Sequence, residues 1–173
     1  MALSARPAVP GDPLEELLPF LPEPLRGLLA ALPPAEAGRI EELRLRVGRP
    51  LLAVLPDGDR FVSPRGQLTA DPRSAYRVDP ADADRFLQLI TRGSVYAVEE
   101  QLREGFLTLP GGHRVGLAGR AVRRSGALLG ARDFGSFVLR VARDVVGAAD
   151  PLLPRLVDRV AGRVHHTLVV SPP

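Results

Sequence analysis

Apolar residues recur at helical spacing from Leu14 to Leu32, through Leu17, Leu18, Leu21, Leu25, Leu28 and Leu29. Pro19, Pro22 and Pro24 interrupt the stripe. Proline has no N–H to continue the ladder, so the pattern predicts two short helices, closed by Pro33-Pro34. The period then changes. Leu43, Leu45 and Val47 alternate with Arg44 and Arg46, the signature of a half-buried strand. Gly48-Arg49-Pro50 turns the chain, and Leu51 to Leu55 reads as a second strand. Asp57-Gly58, two residues that tolerate positive φ, makes a hairpin turn from which Phe61-Val62 returns. Residues 63–80 are rich in Pro, Ser, Asp and Arg and read as an irregular connection.

Asp79-Pro80-Ala81-Asp82 sets a cap, a proline and acids at the start of a helix reaching about Arg92, with Phe86, Leu87 and Ile90 as its apolar face. A second helix is expected from Ser94 to Glu104, burying Val95, Val98 and Leu102 and stopped by Gly105. Phe106 to Leu109, the Pro110-Gly111-Gly112 turn and His113 to Gly119 then predict a hairpin. Two further strands are expected near 127–131 and 137–142. A last helix runs from Asp150-Pro151 to about Ala161, and Val164 to Val170 forms an apolar strand. Residues 1–13 read as a loose, proline-broken leader.

Composition narrows the chemistry. The 173 residues suit one compact domain, or one domain with a short extension, and 45% hydrophobic content supports a core. With six Phe, two Tyr and no Trp, that core is mostly Leu, Val and Ala, and stacking platforms for bases are not expected. All 23 basic residues are arginine, with no lysine or asparagine, a bias that fits GC-rich codons better than selection for guanidinium chemistry. A net charge of +3, with 20 acids interspersed, does not by itself indicate nucleic acid binding. No cysteine is present, which removes disulfides, thiolate nucleophiles and cysteine-held metals. No apolar run approaches the ~20 residues that span a bilayer, and the N-terminus lacks a signal-peptide stretch, so a cytoplasmic location is expected.

Each candidate for chemistry competes with a plainer reading. The glycine-rich run Gly111 to Gly119 resembles a phosphate cradle, but apolar and β-branched residues follow it, and a strand hairpin is the better fit. His113 has no second His or carboxylate at useful spacing and reads as a turn histidine. Asp133-Phe134-Gly135 spells a kinase magnesium tripeptide without the required lysine or any other kinase part. Glu99 and Glu100 are adjacent on a helix and point apart, as a solvated face does. His165 and His166 face opposite sides of a strand. Arg44/Arg46/Arg49 and Arg114/Arg120/Arg123/Arg124 fit phosphate or nucleic acid, against surface arginine in an arginine-biased chain. Thr167 to Val170 followed by Ser171-Pro172-Pro173 is a strand entering a loop, which is how phosphate-binding P-loops begin.

Several segments together resemble the stage III sporulation protein AA family: Glu41 to Pro50, Ser94 to Leu102, Gly105 to Leu109, Gly111 to Gly119 and Ser136 to Arg143. Their order and spacing fit over roughly residues 36–173, and residues 1–35 match only loosely. The resemblance implies an α+β N-terminal domain ahead of a RecA-like ATPase core. The expected organisation is a leader with short helices over 1–35, a mainly antiparallel sheet with flanking helices over 36–145, and a linker helix with the first core strand over 146–173. In this family the strand before the P-loop ends in Gly/Ser-Pro-Pro, then two variable residues and Gly-Lys-Thr. Ser171, Pro172 and Pro173 match the first three of those positions, so the chain is expected to stop inside the motif.

The resemblance further implies a sporulation ATPase, a ring expected to be hexameric in the parent protein, docked on membrane proteins of a secretion-like channel on the mother-cell side. ATP and magnesium belong to the parent; neither is expected to bind tightly to this chain, and no catalytic residue, metal ligand or nucleic acid partner is assigned. By analogy with related traffic ATPases, Arg114 and Arg140 are candidates to reach nucleotide phosphates, with Arg120 and Arg143 behind them. The alternatives are an arginine-rich module that binds nucleic acid or an acidic membrane surface, and a small enzyme using His113 with Glu99 or Glu100.

Overall fold

The computed structural model describes residues 13–93, 99–124, 127–143, 147, 149–158, 161–168 and 170; within these, the side chains of 99, 100, 103, 123, 124 and 127–129 are not described. The chain divides into two compact units, Met1–Ala142 and Arg143–Pro173.

The first unit is built on a seven-stranded sheet in the order β4-β3-β2-β1-β7-β6-β5. Its strands are β1 (Glu42–Arg46), β2 (Leu52–Leu55), β3 (Gly58–Val62), β4 (Leu68–Thr69), β5 (Phe106–Thr108), β6 (Arg114–Arg124) and β7 (Ala127–Arg140). Every pairing is antiparallel. Mixed α and β structure around an antiparallel sheet agrees with the sequence reading. The Asp57-Gly58 signal is also realised, with Leu55 opposite Gly58 across the β2–β3 hairpin. The first strand ends up in the middle: β1 pairs β2 on one side and the last strand, β7, on the other.

Alternation along the strands separates two faces. Leu43, Leu45, Ala53, Val115, Phe137 and Leu139 are buried and join one apolar cluster with Leu14, Leu17, Leu25, Leu28, Leu29 and Phe86 from the helices. The rings of Phe86 and Phe137 meet edge to face at 5.1 Å. Each buried ring contributes about 1.5–3 kcal/mol from apolar burial. Their edge-to-face geometry adds about 0.5–1.5 kcal/mol.

The helices are short, as the prolines require. The Leu14–Leu32 stripe resolves into α1 (Pro13–Leu17), a 3-10 turn at Leu18–Phe20 and α2 (Leu25–Ala30). Pro33-Pro34 does not simply end the unit; Pro34 opens a further turn, α3 (Pro34–Ala37). The helix α4 (Pro80–Ile90) starts at a capping box in which Asp79 accepts from Ala81 N and Asp82 accepts from Asp79 N. Of the expected Ser94–Glu104 helix, α5 (Glu99–Glu104) is present and residues 94–98 lie outside the described set.

Three expectations are corrected. The strands expected at 127–131 and 137–142 are one strand, β7, because the polar Arg132-Asp133 stretch is absorbed as a bulge with Asp133 at φ 52°. Backbone crowding there explains a glycine: a Cβ on Gly119 would stand 2.5 Å from the Arg132 carbonyl oxygen. In the second unit the helix is only α6 (Leu153–Leu156), not a run to Ala161. Val157 turns extended and starts β8 (Val157–Asp158), which pairs β9 (Arg163–Val164). The apolar strand expected over 164–170 is regular only at its start. Val164, Leu168 and Val170 are exposed, so burial does not reward extending the ladder.

Candidate functional site

The face of the sheet opposite the apolar cluster carries a concentrated set of arginines. Arg140 in β7 lies directly between Glu42 of β1 and Arg114 of β6, in register with both. Arg44, two residues along β1 from Glu42, is on the same face by the period of the strand. The next row reads Arg44, Val138, Gly116 and Phe106, and the one after it Arg46, Ser136 and Ala118.

One carboxylate serves two of these cations. Glu42 accepts from Arg44 Nε at 2.5 Å and from Arg140 Nε at 3.3 Å. Arg114 has no carboxylate among the described residues; its guanidinium lies 4.2 Å over the centre of the Phe106 ring. Two arginines directly opposite one another repel. The row therefore holds a like-charged pair on solvent-facing strands, relieved on one side by an acid and on the other by an aromatic face. Guanidinium forks in this arrangement suit a multiply charged oxyanion.

The second arginine group lies apart from the first. Beyond Ala118 and Ser136, β6 and β7 continue as a two-stranded ribbon with Arg120 opposite Arg132. Asp133 stands between them, 3.7 Å from Arg120 and 3.8 Å from Arg132. Arg123 and Arg124 are in the same ribbon. Arg49 is exposed in the β1–β2 turn, and Arg143 is the first residue of the second unit. Ser171, Pro172 and Pro173 lie outside the described residues.

His113 is buried, which the reading of it as a turn histidine did not anticipate. Its Nδ1 accepts the backbone N–H of Ala142 at 3.0 Å. The proton is thereby assigned to Nε2, which is 3.4 Å from Glu16 Oε2 without hydrogen-bond alignment. The turn before it packs against this pair: a Cβ on Gly111, at φ 80°, would collide with the Glu16 carboxylate and the His113 ring. Such an enclosed ring, committed to the backbone, has no room for substrate. The side chains of Glu99 and Glu100 lie outside the described set. His165 and His166 are exposed. No group of three His, Cys, Asp or Glu side chains among the described residues is placed to hold a metal ion. Among these residues, too, no helix is long and apolar enough to cross a membrane.

The analogy with traffic ATPases points to Arg114 and Arg140, and the structure sets them opposite one another. The sequence reading missed Glu42, Phe106 and Glu16. The two-residue step from Glu42 to Arg44 is visible in the text, but the pairing of β1 with β7, which joins Glu42 to Arg140 across 98 positions, is not.

The comparisons with known proteins bear on this arrangement. The family model described as Sporulation stage III, protein AA matches residues 13–173. The chain belongs to that family. Stage III sporulation protein AA of Bacillus subtilis (strain 168) is 36% identical over 160 residues, which are 92% of this chain and 47% of the relative. The chain thus spans about half the length of the curated relative it matches. No solved structure matches. Membership of the Sporulation stage III, protein AA family supports a role in sporulation, and the match includes β1, β6 and β7, the strands that carry Glu42, Arg114 and Arg140.

Proposed function

We propose that this chain is the N-terminal domain of a stage III sporulation protein AA-like ATPase that powers or assembles a secretion-like channel during endospore formation. In this reading Arg114 and Arg140 are presented to the phosphates of ATP held by the rest of the parent protein. Ser171, Pro172 and Pro173 are the first three positions of its P-loop. The parent forms a ring, hexameric by analogy, on the cytoplasmic, mother-cell side and docks on membrane proteins of the channel.

The observation that supports this most directly is the placement of Arg114 opposite Arg140 on an open sheet face. Family membership supports the sporulation setting. The residues on this face fit a nucleotide's phosphates in charge and donor geometry. They do not fit its magnesium: Glu42, the acid in contact with these arginines, is already engaged by two of them, and Asp59 lies two strands away in the same row. The metal would be held by the rest of the parent, where it would neutralise phosphate charge; the arginines here contribute orientation and further charge neutralisation.

The test uses the chain extended by its downstream coding sequence, which this reading expects to supply two residues and then Gly-Lys-Thr. Arg140→Ala and Arg114→Ala should each slow ATP turnover at least tenfold, the scale of losing one charge-assisted contact in the transition state, about 1.4 kcal/mol or more. Unchanged turnover in both would overturn the assignment. Retention of the 173-residue chain on duplex DNA or anionic vesicles, falling steeply with salt and lost on Arg120→Gln with Arg132→Gln, would instead favour a free-standing arginine-rich module.

A further inference from the structure

We propose that Glu42 is a built-in competitor for this anion site: anchored by Arg44, it holds Arg140 on the sheet until a phosphate-bearing ligand draws Arg140 away. The proposal rests on the reading that Arg114 and Arg140 receive phosphate. It adds a residue that sets when they can do so.

Three observations carry it. Arg44 and Arg140 converge on the same carboxylate from neighbouring strands, one bonded to Oε1 and the other to Oε2. The Glu42 side chain is only 12% exposed while that of Arg140 is 74% exposed, so the acid lies low on the sheet and the guanidinium leans over it. Finally, the cluster is short of negative charge. Arg44 and Arg140 share one acid, and Arg114 rests on an aromatic ring instead. Such a face holds its cations in place without neutralising them, and a triphosphate brings the missing charge.

The exchange costs little because the two states use the same donors. Arg140 is in a long, poorly shielded contact at 3.3 Å, and its exposed head can swing to a ligand by side-chain rotation alone. Arg44 is bound more closely and less exposed, and it stays with Glu42 as the anchor. Arg140 is thus the mobile donor of the pair, and Arg114 needs only to lift from Phe106. Through Glu42 the isolated domain is biased toward an anion-free state. Glu42 is a positioning residue in this scheme and touches no reacting atom.

Inorganic triphosphate titrated into the 173-residue chain by calorimetry tests the proposal, with Glu42→Gln, Arg140→Gln and the double variant. Glu42→Gln should bind roughly tenfold more tightly than the wild type, the scale for removing one charge within a few ångströms of a multiply charged anion near a protein surface. Arg140→Gln should abolish that gain in the double variant. If Glu42→Gln matches the wild type while Arg140→Gln weakens both, the arginine site stands and the role of Glu42 is overturned. If triphosphate binds none of the proteins, or binds all equally, the arginine site itself falls and the proposal with it. Should Glu42→Gln fail to fold by circular dichroism, Glu42→Asp decides. It keeps the charge but shortens the reach to Arg140, and an affinity no higher than wild type would overturn the proposal.

Discussion

Nδ1 of His113 accepts the backbone N–H of Ala142 at 3.0 Å, joining the turn before β6 to the chain as it leaves β7. Replacing His113 by Ala removes the acceptor, leaves a partly buried N–H without it and opens a cavity beside Gly111. The expected loss is about 3 kcal/mol of unfolding free energy, read by urea titration. His113→Gln, which keeps an acceptor, should lose clearly less. Equal losses would mean that ring volume, not the hydrogen bond, is what the site needs.

Tyr76 donates its hydroxyl proton to Asp82 Oδ2 at 2.7 Å, and Asp82 is the buried acid of the α4 capping box. Burial, the hydrogen bond to Asp82 and its negative charge together push the phenol's pKa well above its ordinary value of 10.0. The folded state therefore binds this proton more tightly than the unfolded state does. Its stabilising contribution is complete below pH ~10 and is lost progressively as the pH rises above that value. Tyr76→Phe should flatten the alkaline fall in stability and cost about 1 kcal/mol at neutral pH. An unchanged alkaline slope in the variant would contradict this.

Gly119 allows the β6 backbone to pass close to the Arg132 carbonyl where β7 bulges. Gly119→Ala must push the strands apart at the base of the ribbon, at a cost of about 1–3 kcal/mol for an overpacked contact. Because β1 and β5 do not flank the ribbon beyond this point, the loss should appear first as faster amide exchange at Arg120 and Arg132. Exchange that accelerates equally in β1 would show that the ribbon is not a separate opening unit.

Much of the first unit could be read directly. The step from the leucine stripe to Leu43-Arg44-Leu45-Arg46 marks a change from period 3.6 to period 2, and the structure changes from helix to strand there. Asp79-Pro80 announces α4 because capping is a local event. The Gly111-Gly112 turn was equally visible. What failed was non-local or depended on neighbours. Asp133 breaks the alternation in β7, and only the partner strand shows that the ladder resumes on both sides of it. Val164 to Val170 has strand composition, yet composition supplies no neighbour to pair with. Glu42 went unnoticed for the same reason: its partner Arg140 comes from the far end of the unit, and a sequence pattern does not register which strands meet.

The central position of β1 also dictates an order of events. Residues 42–46 are made early and can join β2 and β3 through local contacts, but their other edge must wait for residues 136–140. During synthesis on the ribosome this edge stays open while nearly a hundred further residues are added, a strand of unmet hydrogen-bonding groups with leucines on one side. The non-local closure makes folding slower than the local hairpins alone would allow. Arg44 and Arg46 bear on that interval too: as like charges on the open edge strand, they oppose in-register parallel pairing of two nascent copies until β7 arrives.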